Sequence, residues 1–320
     1  MVFKLKGNDV IKEQDIEVTE SLIGIYGYNN SGKTTILKEL DKVIDEENIK
    51  CIVNDGEYIR SLFIPTNRVI VRQAHTSSTP IKDIEEFLAY KKDSYNEFDL
   101  HLRLIRENLL RNNAVKQVVK NAIIYMFGED YEFDFDRRQS DGVENIINIY
   151  CSIIWLFTWD KDIEDIKYDR LKQLLCDTSA VVMIDEIEAF LHVYVQSRML
   201  QKFKEDFSKC SFVFTTHSPL LLSRYYNIRK FQLDNGILNE INADLYYKDL
   251  DNIYEVYFNV EEFPKEAGEI INRLGDYICG EEYNRDVIVK DLEILNEQYA
   301  NVKAKYPGLV AKAEVKLGVE

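Results

Sequence analysis

Gly27-Tyr28-Asn29-Asn30-Ser31-Gly32-Lys33-Thr34 is the stretch that decides the fold. It runs glycine, four variable positions, glycine, lysine and a hydroxyl residue, the pattern of a phosphate-gripping loop. The flanks suit that reading. Ser21-Leu22-Ile23-Gly24-Ile25-Tyr26 reads as a buried strand entering the loop, and Thr35-Ile36-Leu37-Lys38-Glu39-Leu40 continues as a helix. Glycines let backbone N–H groups turn inward around phosphates, and the helix N-terminus adds partial positive charge. Lys33 is placed to reach the β- and γ-phosphates, and Thr34 to offer its hydroxyl to Mg²⁺. Gly27, Asn29, Asn30, Ser31, Gly32, Lys33 and Thr34 are therefore the candidate ligands of a nucleoside triphosphate with Mg²⁺.

A phosphate cradle alone does not separate a kinase, a GTPase, a ring ATPase and a dimerising ATPase. A second element narrows the choice. Val181-Val182-Met183-Ile184 is an apolar strand ending in Asp185-Glu186. In a parallel sheet such a strand ends beside the phosphate loop, with Asp185 near the metal and Glu186 placed to activate the attacking water. The alternative is a strand that terminates in solvated acids. The third element is His217, at the end of the β-run Ser211-Phe212-Val213-Phe214-Thr215. A histidine there can donate a hydrogen bond to a γ-phosphate, although a lone histidine at a strand end also serves as a cap.

The bulk composition fits a folded domain. The chain has 320 residues, 46% of them hydrophobic and 30% charged, enough for one large core with or without a smaller appended unit. The formal net charge is −16, which counts against a protein that coats nucleic acid, since that affinity comes from Lys and Arg. Five cysteines (Cys51, Cys151, Cys176, Cys210 and Cys279) lie far apart and form no C-x-x-C pair, so neither a disulfide framework nor a zinc site is expected. Residues 1–9, MVFKLKGND, alternate as a strand and contain no apolar signal-peptide core. The longest apolar stretch, 146–157, falls short of the roughly 20 residues that a membrane span needs. The expectation is a soluble, cytoplasmic protein with no membrane partner.

Along the chain, the alternation of Phe3 and Leu5, then Ile16 and Val18, predicts short half-buried N-terminal strands. Ile52-Val53, Leu62-Phe63-Ile64 and Val69-Ile70-Val71 carry β-type runs, residues 83–127 are helical in pattern, and Tyr131–Phe135 is strand-like. Ser140-Asp141-Gly142 heads a long apolar helix to Phe157, and a further helix is expected over 187–206. Asp234-Asn235-Gly236 marks a hairpin, and the chain after 243 reads as helical. Strands alternating with helices argue for an α/β fold with a largely parallel central sheet.

The motifs together resemble the ABC-type ATPases, and within them the stand-alone bacterial branch with RecF-, OLD- and SMC-like proteins and AAA_15/AAA_21-type ATPases. The residues that carry the resemblance lie at 27–35, at Ile-Pro-Thr-Asn-Arg 64–68, at Ser-Asp-Gly 140–142, at Ile-Asp-Glu-Ile-Glu-Ala-Phe-Leu-His 184–192 and at Thr-Thr-His-Ser-Pro 215–219. It implies a P-loop NTPase fold: an ABC-type head with N-terminal antiparallel strands, a short helical lid insertion at about 83–130 and a helical C-terminal appendage. The expected domains are 1–240 for the ATPase and 241–320 for a region that docks a partner.

By position, the resemblance implies that Lys33, Thr34 and Thr35 grip phosphate and magnesium, that Asp185 holds the metal through water, that Glu186 is the catalytic base and that His217 is the switch histidine. Ser140 and Gly142 would reach across a homodimer to the partner's γ-phosphate, though Ser140 also suits an ordinary helix N-cap. Gln73 is the candidate for the remaining metal contact. Gln139-Ser140-Asp141-Gly142-Val143 departs from the transporter pattern L-S-G-G-Q, and Val193 stands where the family usually has proline. Arg103, Arg106, Arg111, Lys116 and Lys120 form either a solvated helical face or a strip for nucleic acid or an acidic partner.

Asp244-Leu245-Tyr246-Tyr247-Lys248-Asp249, Phe263-Pro264 and the helix after Tyr283 resemble the tail of Septu-type defence ATPases. The implied function is a homodimeric (or larger) ATP hydrolase whose nucleotide state controls a separate nuclease or toxin in antiphage defence. Two other readings stand beside it: a RecF/SMC-like DNA-repair clamp, and an ATP-dependent scaffold without turnover.

Overall fold

The computed structural model describes residues 1–18, 22–53, 59–66, 105–225, 227–241, 264–280 and 283–318. They fall into two compact units, Met1–Lys248 and Asp249–Glu320. The run at 69–71, Gln73, Arg103 and residues 244–249 lie outside the described residues.

In the first unit a hairpin of β1 (Val2–Leu5) and β2 (Gln14–Glu17) pairs antiparallel. The main sheet is built from β3 (Leu22–Tyr26), β4 (Ser61–Ile64), β5 (Ala180–Ile184), β6 (Cys210–Thr216), β7 (Arg229–Asp234) and β8 (Ile237–Glu240). The strand order is β4-β5-β6-β3-β7-β8, parallel throughout except for the terminal β7–β8 hairpin. Asn235 (φ 49°) and Gly236 (φ 76°) make its two-residue turn, which demands left-handed backbone at both positions. The α/β class and largely parallel sheet expected from the sequence are what the chain forms.

Parallel strands covered on both faces read as unbroken apolar runs, as β3 and β5 do. Side chains then alternate between two cores. Val181 and Met183 face α1 (Lys33–Val53), joining Ile36, Leu37, Leu40 and Ile44. Val182 and Ile184 face the opposite layer. That layer consists of α2 (Asn113–Phe127), α3 (Asp141–Thr158), α4 (Tyr168–Asp177) and α5 (Val193–Asp206). The short α6 (Pro219–Arg224) follows β6. Ile146, Ile147, Ile149, Ile153, Ile154, Leu156 and Phe157 are all fully buried, which is why α3 is apolar nearly all round without being a membrane span. No described helix is long and apolar enough to cross a membrane.

Three local readings change. Ile52-Val53 ends helix α1 instead of forming a strand. Residues 131–135 make no strand pairing; Phe133 and Phe135 pack edge to face at 4.6 Å, spending their aromatic surface on each other and the core. The helix expected from 187 starts only at Val193, because 186–191 is a tight turn with left-handed backbone at Glu186 (φ 44°) and Phe190 (φ 64°). The His192 Nδ1 accepts the Tyr194 N–H and starts α5 there.

The second unit contains α7 (Lys265–Cys279), α8 (Arg285–Glu297), α9 (Ala300–Lys305) and α10 (Pro307–Leu317). Its own core gathers Ile270, Leu274, Ile288, Leu292, Leu295, Val310 and Leu317. Arg273 grips buried Asp291 with two bonds of 2.8 Å.

Candidate functional site

The sheet order brings the sequence motifs together. Strand β6 lies between β3 and β5, with Tyr26 opposite Thr216 and Ile184 opposite Phe214. The loop after β3, the acids after β5 and the end of β6 therefore emerge side by side at the carboxyl edge of the sheet. Open α/β sheets bind their ligands at that edge.

The phosphate loop turns through Asn30 (φ 63°) and Gly32 (φ 98°), and α1 begins at Lys33. A Cβ at Gly27 would stand 2.7 Å from the Leu233 carbonyl, so only glycine fits where the loop leaves β3 beside β7. Lys33 is 7% exposed and donates to the carbonyls of Gly27 and Tyr28 at 2.9 Å each. Burial pulls its pKa down, while the carboxylates of Glu186, Asp185 and Glu188 push the other way.

Asp185 is the hub. Its Oδ2 accepts the hydroxyls of Thr34 at 2.8 Å and Thr66 at 2.9 Å, and its Oδ1 accepts the Thr215 hydroxyl at 2.7 Å. Its N–H donates to the Ile64 carbonyl at 2.9 Å. The start of α1, the loop after β4 and strand β6 thus meet at one carboxylate at the end of β5. Thr66 and Thr215 carried no assigned role in the sequence reading. A threonine hydroxyl in a sequence can point anywhere, and the available signal was their place within the quoted 64–68 and 215–219 motifs.

Thr215 also fixes the next residue, since its Oγ accepts the Glu186 N–H at 2.7 Å. Glu186 is half-exposed, with Oε1 4.0 Å from His217 Nε2. Two positions on, the Glu188 carboxyl takes the His217 N–H on Oε1 at 2.5 Å. Its Oε2 is shielded from solvent and takes no hydrogen bond from any described residue. Burial raises the Glu188 pKa, against the pull of the His217 N–H and the Thr216 hydroxyl. Glu188 is the third residue that the sequence reading left without a role.

The chemistry of this donor set suits Mg²⁺. Thr34 and Asp185 supply two hard oxygens already 2.8 Å apart, next to a phosphate loop. Among the described residues no group of three or more His, Cys, Asp or Glu forms a metal cage. An ion at Thr34 and Asp185 would be held by one carboxylate, a hydroxyl, water and substrate phosphate.

Ser140 is exposed, and its side chain makes no cap bond to α3. Gly142 instead packs on the turn: a Cβ there would stand 2.7 Å from the Phe190 carbonyl. Asn145 donates to the Ala189 carbonyl at 2.6 Å beside it. Of the basic residues in the 83–130 segment, Arg106 is turned inward onto Glu144 and, at 3.3 Å, Asn148. It is therefore no part of a surface strip. Within the described part of that segment, 105–130, α2 is built into the main core through Val115, Val118, Val119, Ile123 and Met126.

Strand order, phosphate loop and Thr34–Asp185 contact define an α/β fold of the P-loop NTPase class. Residues 171–223, from α4 through α6, match a family model described as "AAA domain, putative AbiEii toxin, Type IV TA system". The chain is 28% identical over 212 residues to the Septu protein PtuA of Bacillus mycoides (strain KBAB4), a match covering 57% of this chain and 29% of that protein. It is 23% identical over 176 residues to the "Retron Ec83 probable ATPase" of Escherichia coli, covering 48% and 32%. The chain thus spans about a third of the length of these relatives. Among solved structures, an ATP-binding subunit of an ABC transporter aligns with a TM-score of 0.43 and 16% identity, over 79% of this chain and 96% of that one. The chain is similar to stand-alone ABC-like ATPases, as its motifs implied.

Proposed function

We propose that the chain binds ATP with Mg²⁺ and hydrolyses it at the carboxyl edge of the sheet. The observation that carries this reading is the Asp185 hub, which fastens the residue after the phosphate-loop lysine to the acidic end of β5. Gly27, Asn29, Asn30, Ser31, Gly32, Lys33, Thr34 and Thr35 would cradle the phosphates, with Thr34 and Asp185 holding the metal. Mg²⁺ would supply charge to offset the phosphate oxygens. Glu186 orients a water and takes its proton as the water oxygen bonds to the γ-phosphorus. The bond from γ-phosphorus to the bridging oxygen breaks, and ADP leaves with that oxygen. His217, beside Glu186, donates to the γ-phosphate side of the site.

Ser140 and Gly142 of a second copy would complete the site. The exposed Ser140, which caps nothing in its own helix, supports that part of the reading. The likeness to a Septu protein and a retron ATPase supports a role in antiphage defence, with nucleotide state controlling a separate effector protein, nuclease or toxin. The region 241–320, which is helical over most of its described residues from Lys265 on, is the candidate docking element. Phosphate release from MgATP by the purified chain tests the activity. The expected result is turnover in the wild type and a loss of about 100-fold or more in Glu186→Gln, with ATP still bound. Equal rates in the two proteins would refute Glu186 as base, and absence of turnover in both would leave the scaffold reading.

A further inference from the structure

Glu188 is a half-buried residue whose carboxyl Oε2 is shielded from solvent, and the hydrolytic mechanism does not use it. It sits in the tight turn 186–191, whose shape is fixed on both sides. Thr215 holds the Glu186 N–H and, through its carbonyl, the Ile187 N–H at 3.1 Å. Asn145 holds the Ala189 carbonyl, and Gln196 Nε2 holds the Leu191 carbonyl at 2.8 Å. Gln196 also accepts the Ser218 hydroxyl at 2.6 Å, and the Ser218 N–H donates to Thr216 Oγ at 2.9 Å. His217 lies between two tethered neighbours, and its own N–H goes to Glu188. A charged group out of water costs free energy unless it does something specific, and here Oε1 accepts from the backbone of the residue that faces Glu186.

From this geometry we infer that Glu188 is a positioning residue, whose carboxylate fixes the His217 backbone and so sets the imidazole against Glu186 and the γ-phosphate side of the site. The inference rests on the hydrolytic reading above. What matters is reach: Oε1 must extend to the His217 N–H. Glutamine keeps that acceptor at the same distance. Aspartate keeps the charge but withdraws the acceptor by one methylene, and alanine removes it.

The full chain would be prepared as wild type and as Glu188→Gln, Glu188→Asp and Glu188→Ala. Steady-state MgATP turnover, affinity for a fluorescent ATP analogue and thermal melting would be measured on each. The expected result is a kcat lowered about 10-fold or more in Glu188→Asp and Glu188→Ala with KM and analogue affinity within about threefold, and a kcat near wild type in Glu188→Gln. If alanine fails to fold, the glutamine and aspartate pair decides. Aspartate near wild type with glutamine impaired would mean that charge, not reach, matters, and would overturn the inference. So would a parallel loss of affinity, melting temperature and kcat in all variants, the mark of a merely structural group.

A second readout does not need turnover. The chain has four histidines, so ¹⁵N-histidine labelling gives few amide signals, and His217→Gln identifies the one required. Its amide proton is expected downfield in wild type and Glu188→Gln, and shifted upfield in Glu188→Ala or Glu188→Asp. No shift would overturn the inference even if the wild type hydrolyses ATP. A wild type without turnover would refute the hydrolytic reading alone, with the amide signal still deciding the role of Glu188.

Discussion

Asp185 and Asp206 are buried to nearly the same depth, at 4% and 1% exposure, but they are held by different chemistry. Asp206, at the end of α5, receives the Tyr150 hydroxyl at 2.8 Å and the ammonium groups of Lys172 at 2.6 Å and Lys202 at 3.0 Å. Asp185, after β5, receives three threonine hydroxyls. Ammonium groups cancel a carboxylate's charge, whereas hydroxyls aim it and leave its charge in place. The first arrangement closes on itself and stabilises the layer of α3, α4 and α5. The second keeps negative potential beside a phosphate loop, where a divalent cation is attracted. On the proposed reading of the site, burial alone does not mark a functional carboxylate; the kind of group that holds it does.

The difference is open to measurement. Asp206→Ala strands two lysines and a phenol in a largely buried place and is expected to cost about 3 kcal/mol of stability, read by chemical denaturation. Below its lowered melting point it should bind ATP as the wild type does. An effect on nucleotide affinity with little loss of stability would reverse the roles assigned to the two aspartates. Thr215→Val removes one hydroxyl that serves both Asp185 and the Glu186 N–H. The expected loss of stability is about 1 kcal/mol, with MgATP turnover down roughly tenfold. Unchanged turnover would show that the hub tolerates loosening and that Asp185 is held well enough by Thr34 and Thr66.

Much of this was legible in the sequence, for particular reasons. The phosphate loop, the apolar β5 with its Asp185-Glu186 end and the Asn235-Gly236 turn each depend on local geometry, which residue type dictates directly. The hub does not. Thr34, Thr66, Asp185 and Thr215 lie on four segments, and only the strand order β4-β5-β6-β3 makes them neighbours. The start of α5 was read too early for a related reason. Residues 187–191 look helical in isolation, but the left-handed backbone at Glu186 and Phe190 goes with the bond from the Glu186 N–H to Thr215 and with the close approach of Gly142 to the Phe190 carbonyl. Glu188 carries no signal of its own in the sequence, because its contact with the His217 N–H is made only by the fold.

Equilibrium binding of ATP to the wild type and to Asp185→Asn, each with Mg²⁺ and with excess chelator, tests the site most directly. Asparagine keeps the acceptor oxygen for the threonines but loses the charge, so the fold should hold. The account predicts that Mg²⁺ tightens ATP binding about 10-fold or more in the wild type and has little effect in Asp185→Asn. ATP affinity that ignores Mg²⁺ in the wild type, or that responds to it equally in both proteins, would contradict the account.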